Sequence, residues 1–287
     1  MSYILHILIL IVLFTMLAQS LSLSSGFTNL LSLAHAGFYG LGAYSTAILT
    51  TGFHLSFWIA LPVSIIICAG LALLVAALSS RTTDDYFMIC TLGLQVIIFS
   101  VLNNWTSLTS GPFGIAAIPA INVFGYKFDN DLAFLLLSIA FLVLSWWFLY
   151  KLANSVFGRI LIAISADELY VQSIGKSPFQ YKALAFCISA GFAAVPGALY
   201  AHYISYIAPT AFTLNESILI LSIVIIGGIR NMAGCFYAAF VFFLLPELLR
   251  FIGFSENIAA NLRQIIFGIA LIIIVFNSKV LREFTSN

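Results

Sequence analysis

No Asp, Glu, Lys or Arg occurs from Met1 to Ser80. A stretch of that length without charge, rich in Leu, Ile, Val, Ala and Phe, has no face to offer water. The same character continues along the 287-residue chain, which is 62% hydrophobic and 7% charged, with a mean hydropathy of +1.12. A helix needs about 20 apolar residues to cross the hydrocarbon of a bilayer, whereas a barrel strand needs roughly ten alternating ones. The apolar runs here have helix length. The fold class is therefore all-α, a polytopic membrane helical bundle in which each helix satisfies its own backbone amides.

Turn signals divide the charge-free region, at Ser20 to Gly26 and Thr50 to His54, into spans at Tyr3 to Gln19, Phe27 to Leu49 and Phe57 to Leu78. No Lys or Arg precedes the first run, so it lacks the positive start of a secretory signal and reads as a retained span. Arg81, Asp84 and Asp85 mark a surface loop before a span at Tyr86 to Leu102. Asn103 to Asp131 is a long connection in which Gly111, Pro112, Gly114 and Pro119 oppose regular helix. Further spans follow at Leu132 to Tyr150, Tyr181 to Tyr203, Ser217 to Ile229, Met232 to Leu249 and Leu262 to Phe276. That gives nine, within a range of about 8 to 10. The run before Arg230 is short for a crossing, which points to a broken or tilted helix.

Lys and Arg are costly inside a span and favour cytoplasmic loops. With nine spans and the N-terminus outside, Arg81, Lys151, Arg159, Lys176, Lys182, Arg230, Lys279 and Arg282 are cytoplasmic, while Lys127, Arg250 and Arg263 face out. A net charge of +1 offers no nucleic-acid footprint. Cys68, Cys90, Cys187 and Cys235 stand singly in apolar runs and read as small buried hydrophobes. Ser189, Ala193, Gly197, Ala201 and Ser205 recur at every fourth position, as do Ser32, Ala36 and Gly40, which lets backbones approach closely in lipid.

Phe157 to Phe186 is the one long polar interruption. Ser165 and Glu168 have the spacing of a capping box, Gly175 sits where a helix would end, and Ser177 with Pro178 begins the next. Between them Tyr170, Val171 and Ile174 share one side of a short amphipathic helix and Glu168 and Gln172 the other. Two readings fit this pattern: a docking surface for a partner protein, or a helix lying in the lipid interface.

Chemistry is sparse. Gly175, Lys176 and Ser177 end like a phosphate-binding loop, but Tyr170 stands where that loop needs glycine. There is no nucleophile elbow, no H-E-x-x-H and no carboxylate pair inside a span, so the chain is expected to catalyse no bond chemistry and to hold no metal or cofactor of its own. An ion-driven carrier would place ionisable groups at the midplane, where the candidates are the lone His6, His35 and His202. Glu247 and Arg250 stand three apart near a span end as a candidate pair. Three glycine-rich stretches remain, Leu31 to Tyr44 (LSLAHAGFYGLGAY), Leu108 to Ile115 (LTSGPFGI) and Ile226 to Gly234 (IGGIRNMAG). They serve either tight packing or a pathway and its hinges, with Ser32, His35, Gly37, Gly40, Gly111, Gly114, Gly227 and Gly228 as the candidate positions.

These stretches, with FGRILIAISADELYVQSIGKSPFQYKALAF, ALYAHYISYIAP and LLPELLR, resemble in order and spacing the M-type permease subunit of the bacterial branched-chain amino acid ABC importers, the Liv family, from about Gly26 to Arg250. The resemblance implies one type II ABC importer-like permease domain over residues 1–287, in the bacterial inner membrane. Its cytoplasmic coupling loop, 159–177, would use Arg159, Asp167, Glu168, Val171 and Gly175 to dock an ATPase. Implied partners are a second permease, H-type or a copy of this chain, two ATPase subunits that bind ATP and Mg, and a periplasmic or lipid-anchored substrate-binding protein. The implied cargo is Leu, Ile or Val, moved inward by alternating access, with urea, short amides or another small polar solute as the alternative. Force is expected to enter around Glu168 and pass through Gly175 to Pro178. Where the family commonly has a basic residue and Glu-Asn-Glu, this chain has Ser165, Ala166, Asp167 and Glu168, and Ile229 replaces a third glycine. An ion-coupled carrier and a transport-free scaffold are the rival classes.

Overall fold

A computed structural model describes residues 2–79, 84–123, 126–128, 130–228 and 230–251, with 265, 268–269 and 272. The span expected at Leu262 to Phe276 falls almost wholly outside these residues, as do Arg81, Arg263, Lys279 and Arg282. The described helices are α1 (Ser2–Leu21), α2 (His35–Thr51), α3 (Phe57–Ser79), α4 (Asp84–Asn104), α5 (Thr106–Thr109), α6 (Asp131–Ala153), α7 (Val156–Ala166), α8 (Glu168–Ser173), α9 (Pro178–Ile204), α10 (Leu214–Gly227) and α11 (Met232–Phe251). Among the described residues six apolar helical segments are long enough to cross a membrane: Tyr3–Gly26, Phe57–Ala77, Tyr86–Asn104, Asp131–Ala153, Pro178–Ile204 and Pro209–Gly227. α11, a shorter apolar helix, packs against α1 and runs antiparallel to it. Gln19 Nε2 donates to the Met232 carbonyl at one end (3.3 Å), and Tyr3 Oη donates to Glu247 at the other (2.6 Å). Glu247 thus has a partner in α1, and the Arg250 side chain lies outside the described residues.

Two expected spans differ from what forms. α1 runs past Gln19 and continues as a π-helical turn, Ser22–Gly26. The chain then unwinds over residues 29–34, so the next helix starts at His35 and not at Phe27. Hydroxyls make the unwinding tolerable in an apolar setting, where unsatisfied backbone groups are costly. Thr28 Oγ1 accepts from Leu30 N, Ser25 Oγ donates to the Leu30 carbonyl, Thr91 Oγ1 accepts from Leu33 N, and Ser32 Oγ accepts from Ala34 N. The short segment before Arg230 is broken as expected: a 3-10 turn at Pro209–Ala211 precedes α10, and the chain bends between them at Phe212 and Thr213.

α9 is the hub, with 72% of its apolar window buried, against 22% for α6, which faces outward. The small-residue stripe explains why. A Cβ on Gly197 would stand 2.2 Å from the Tyr39 carbonyl oxygen, and one on Gly42 would stand 2.4 Å from Ala194 Cα, so α2 and α9 touch backbone to backbone. Ser189, in the same stripe, donates to the Ser20 carbonyl at 2.6 Å. α9 continues through Pro196. Three of the four cysteines are buried in this packing, whereas Cys90 is exposed on the outward face of α4.

The connections gather at two ends. At one end β1 (Ile115–Ala116) pairs antiparallel with β4 (Tyr206–Ile207), while β2 (Asn122–Val123) pairs with β3 (Tyr126–Lys127). At the other end α7 and α8 meet the π turn, the unwound 29–34 stretch and the turn between α10 and α11.

Candidate functional site

The candidate site is the α7–α8 end and the three helix breaks beneath it. α6 stops at Ala153, and Gly158 lets the chain fold back, since a Cβ there would lie 1.9 Å from the Ala153 carbonyl oxygen. Ser155 caps α7, its Oγ accepting from Phe157 N at 3.2 Å. α7 then carries Leu161 and Ile164 into the core and runs through Ser165, ending at Ala166. The capping box expected at Ser165 and Glu168 does not form. Ser165 Oγ donates back to the Ile162 carbonyl, and the cap of α8 is Asp167, whose carboxylate accepts from Tyr170 N at 3.0 Å. Because α7 runs on through Ser165 to Ala166, the cap falls two residues later, on Asp167, a residue type that caps as well as serine.

α8 closes with a Schellman motif. Gly175, at φ +76°, donates its N–H to the Gln172 carbonyl (2.9 Å), and Lys176 N donates to the Val171 carbonyl (3.2 Å). Val171 is buried at 1% exposure and seats α8 on the bundle, helped by an ion pair between Glu168 and Lys182 of α9. Tyr170 and Ile174, expected on Val171's side, instead point outward with Leu169, at 61%, 57% and 75% exposure. Arg159 and Asp167 are exposed too. The result is a short helix held from below by one aliphatic side chain and one ion pair, with an apolar tip presented to its surroundings.

Beneath α7 and α8, Arg230 Nε donates to the Gly26 carbonyl at 2.8 Å, and its Nη2 donates to Ser165 Oγ at 2.6 Å. Asn29 Nδ2 donates to the Ser165 carbonyl at 3.2 Å. A cavity of about 450 Å³ lies between Thr28 and Asn29 on one side and Ile164 to Glu168 on the other. The Gly227 carbonyl oxygen lies 1.7 Å from where a Cβ on Gly234 would stand, so α10 and α11 meet backbone to backbone there. Gly228 supplies the left-handed turn at φ +92°.

The remaining candidates divide between two places. His35 Nε2 donates to Ser20 Oγ at 2.7 Å, because the Ser20 hydroxyl proton already goes to the Leu17 carbonyl. Ser32 lies in the unwound stretch. Gly37 faces Gln95, with a Cβ there only 2.8 Å from Oε1, and Gly40 faces the Phe212 ring at the same distance. Gln95 was not expected. Its Nε2 donates to the Phe212 carbonyl at 2.8 Å, and Ser217 Oγ accepts from Ala36 N at 2.9 Å, which binds the start of α2 to α4 and α10. A lone amide in an otherwise apolar span was the available signal. Gly111 and Gly114 belong to the β1–β4 end, at φ +58° and +69°, where a Cβ on Gly114 would lie 2.0 Å from the Ile207 carbonyl oxygen.

A multi-pass bundle with a helix pair standing at one end, above a set of broken helices, is the plan of a transport permease. The chain belongs to the family described as branched-chain amino acid transport system / permease component, which matches residues 3–275. It is similar to the high-affinity branched-chain amino acid transport system permease protein LivM of Escherichia coli (strain K12), 32% identical over 264 residues, covering 84% of this chain and 62% of that protein. The LivM of Salmonella typhimurium is also 32% identical, over 260 residues, 83% of this chain and 61% of the relative. A probable branched-chain amino acid transport permease protein LivM of Methanocaldococcus jannaschii is 25% identical over 231 residues, 74% and 65% of the two chains. The chain thus spans about three fifths of the length of its bacterial relatives. No solved structure matches it.

Proposed function

We propose that this chain is the membrane-spanning permease subunit of an ABC importer, and that it moves a small amino acid, Leu, Ile or Val, inward across the cell membrane. It makes and breaks no bonds. ATP and Mg belong to two partner ATPase subunits, a second permease completes the pore, and a binding protein outside the membrane delivers the substrate. The α7–α8 end then faces the cytoplasm. The carrying observation is the outward-pointing Leu169, Tyr170 and Ile174 on a helix seated by Val171 and Glu168. An apolar cluster beside exposed Arg159 and Asp167 has the composition of a protein interface, with an aromatic anchor and a charged rim. The relatives' names supply the substrate class.

The test is co-purification from the native membrane, followed by uptake in proteoliposomes. The expected result is an ATPase retained by the chain, and ATP-dependent accumulation of leucine, isoleucine or valine in preference to urea and acetamide. Accumulation on an ion gradient by the chain alone would replace this reading with an ion-coupled carrier.

A further inference from the structure

We propose that Arg230 is the positioning residue that ties the α7–α8 helices to the stretch between α1 and α2, so that displacement of the docking tip moves the unwound segment with it. This rests on the reading of α7–α8 as the ATPase-docking face. It also relocates the route of the force, from Gly175–Pro178 to the end of α7.

Arg230 stands where three breaks in helical structure meet. One is its own turn between α10 and α11, where it adopts φ +69°, a left-handed conformation unusual for an arginine and sustained only when its surroundings hold it. The second is the π turn of α1, whose last residue, Gly26, gives its carbonyl to Arg230 Nε. Gly26 can approach because it has no side chain: a Cβ there would stand 3.1 Å from Arg230 N. The third is the end of α7, where Ser165 Oγ accepts from Nη2 while donating its own proton to the Ile162 carbonyl. One planar guanidinium thus grips two acceptors on separate elements, which a lysine ammonium on a single flexible stem does poorly.

Two further contacts make the tie stiff. Asn29, first residue of the unwound stretch, donates to the Ser165 carbonyl, so Ser165 is held through its side chain and its backbone. Leu161 of α7 shares an apolar cluster with Leu23 and Phe27 on the α1 side and with Met232, two residues beyond Arg230. Beside these contacts a cavity of about 450 Å³ lies between Thr28 and Asn29 on one side and Ile164 to Glu168 on the other, so along that stretch the link runs through the named contacts. π-helical turns and unwound stretches are elements with neighbouring alternative geometries, suited to being pushed from one arrangement to another.

The experiment uses the whole importer, with its ATPase subunits, second permease and binding protein, in proteoliposomes, and reads substrate delivered per ATP hydrolysed. Arg230→Met keeps the stem and removes the donors. It is expected to retain bound ATPase and its hydrolysis while delivery per ATP falls about tenfold, and Arg230→Lys should fall between. Adding Ser165→Ala to Arg230→Met should lose nothing more. If Arg230→Met does not accumulate as monodisperse protein, Asn29→Ala with Ser165→Ala cuts the same tie from the other side and should give the same loss. Wild-type delivery per ATP in either variant, with ATPase bound, would overturn the tie and leave the docking reading standing. A wild-type complex that never retains ATPase would instead overturn the docking reading.

Discussion

The two ends of the bundle are closed by different means. At the β1–β4 end the closure is mostly backbone: a two-strand ladder, Ile118 N donating to the Ser205 carbonyl at 3.2 Å, and Gly114 pressed against Ile207. Side chains add to it there by bonding main chain, as when His202 Nδ1 donates to the Pro119 carbonyl at 2.7 Å and Tyr206 Oη to that of Phe113 at 3.0 Å. At the α8 end a few side chains, Arg230, Asn29 and Glu168, bridge elements around a cavity. A backbone ladder depends little on side-chain identity and yields only as a unit. Side-chain bridges can be set and reset singly. The difference locates stiffness at one end and adjustability at the other.

The sharpest way to break the comparison is at the stiff end. Gly114→Val would drive its side chain into the Ile207 carbonyl at a left-handed φ of +69°, and should cost more than about 4 kcal/mol, seen as loss of monodisperse protein after solubilisation. At the adjustable end, Leu169→Asp with Tyr170→Asp should leave the fold intact. ATPase retention should nonetheless fall by about 3 kcal/mol in a binding titration, as when an interface anchor is lost. Val171→Ala removes the seat of α8 and should cost about 2 kcal/mol, with exchange protection lost over Glu168–Ser173 while α9 keeps its own. The smallest effect, about 1 kcal/mol, is expected for Asp167→Ala, read as faster amide exchange at Tyr170. Ser165→Ala should leave that amide unchanged; if the two variants exchange places, Ser165 is the cap after all.

Much of this architecture was legible from the chain. Turn residues placed the early breaks and charges most of the later ones, and a four-residue recurrence of small residues marked where α2 and α9 press close. The unwound 29–34 stretch was hidden because Leu30, Leu31 and Leu33 read as span, and the hydroxyls that replace its helical hydrogen bonds come partly from Thr91, on another helix. The outward tip of α8 was half legible. The spacing of Tyr170, Val171 and Ile174 announced an amphipathic helix, but which of them turned inward depended on where the bundle lay, and only Val171 did. Arg230 looked like a loop charge. Its role follows from Gly26 and Ser165, which lie 204 and 65 positions away in the sequence.

The short ladder between β1 and β4 has a consequence for how the protein is made. Ile115 leaves the ribosome long before Ile207, with α6 and α9 still to be inserted and α7 and α8 still to be made between them. Through that interval the segment around Gly114 must wait unpartnered on its side of the bilayer. The rim therefore sets late, as a stitch across the helices already in place, with α10 and α11 still to follow.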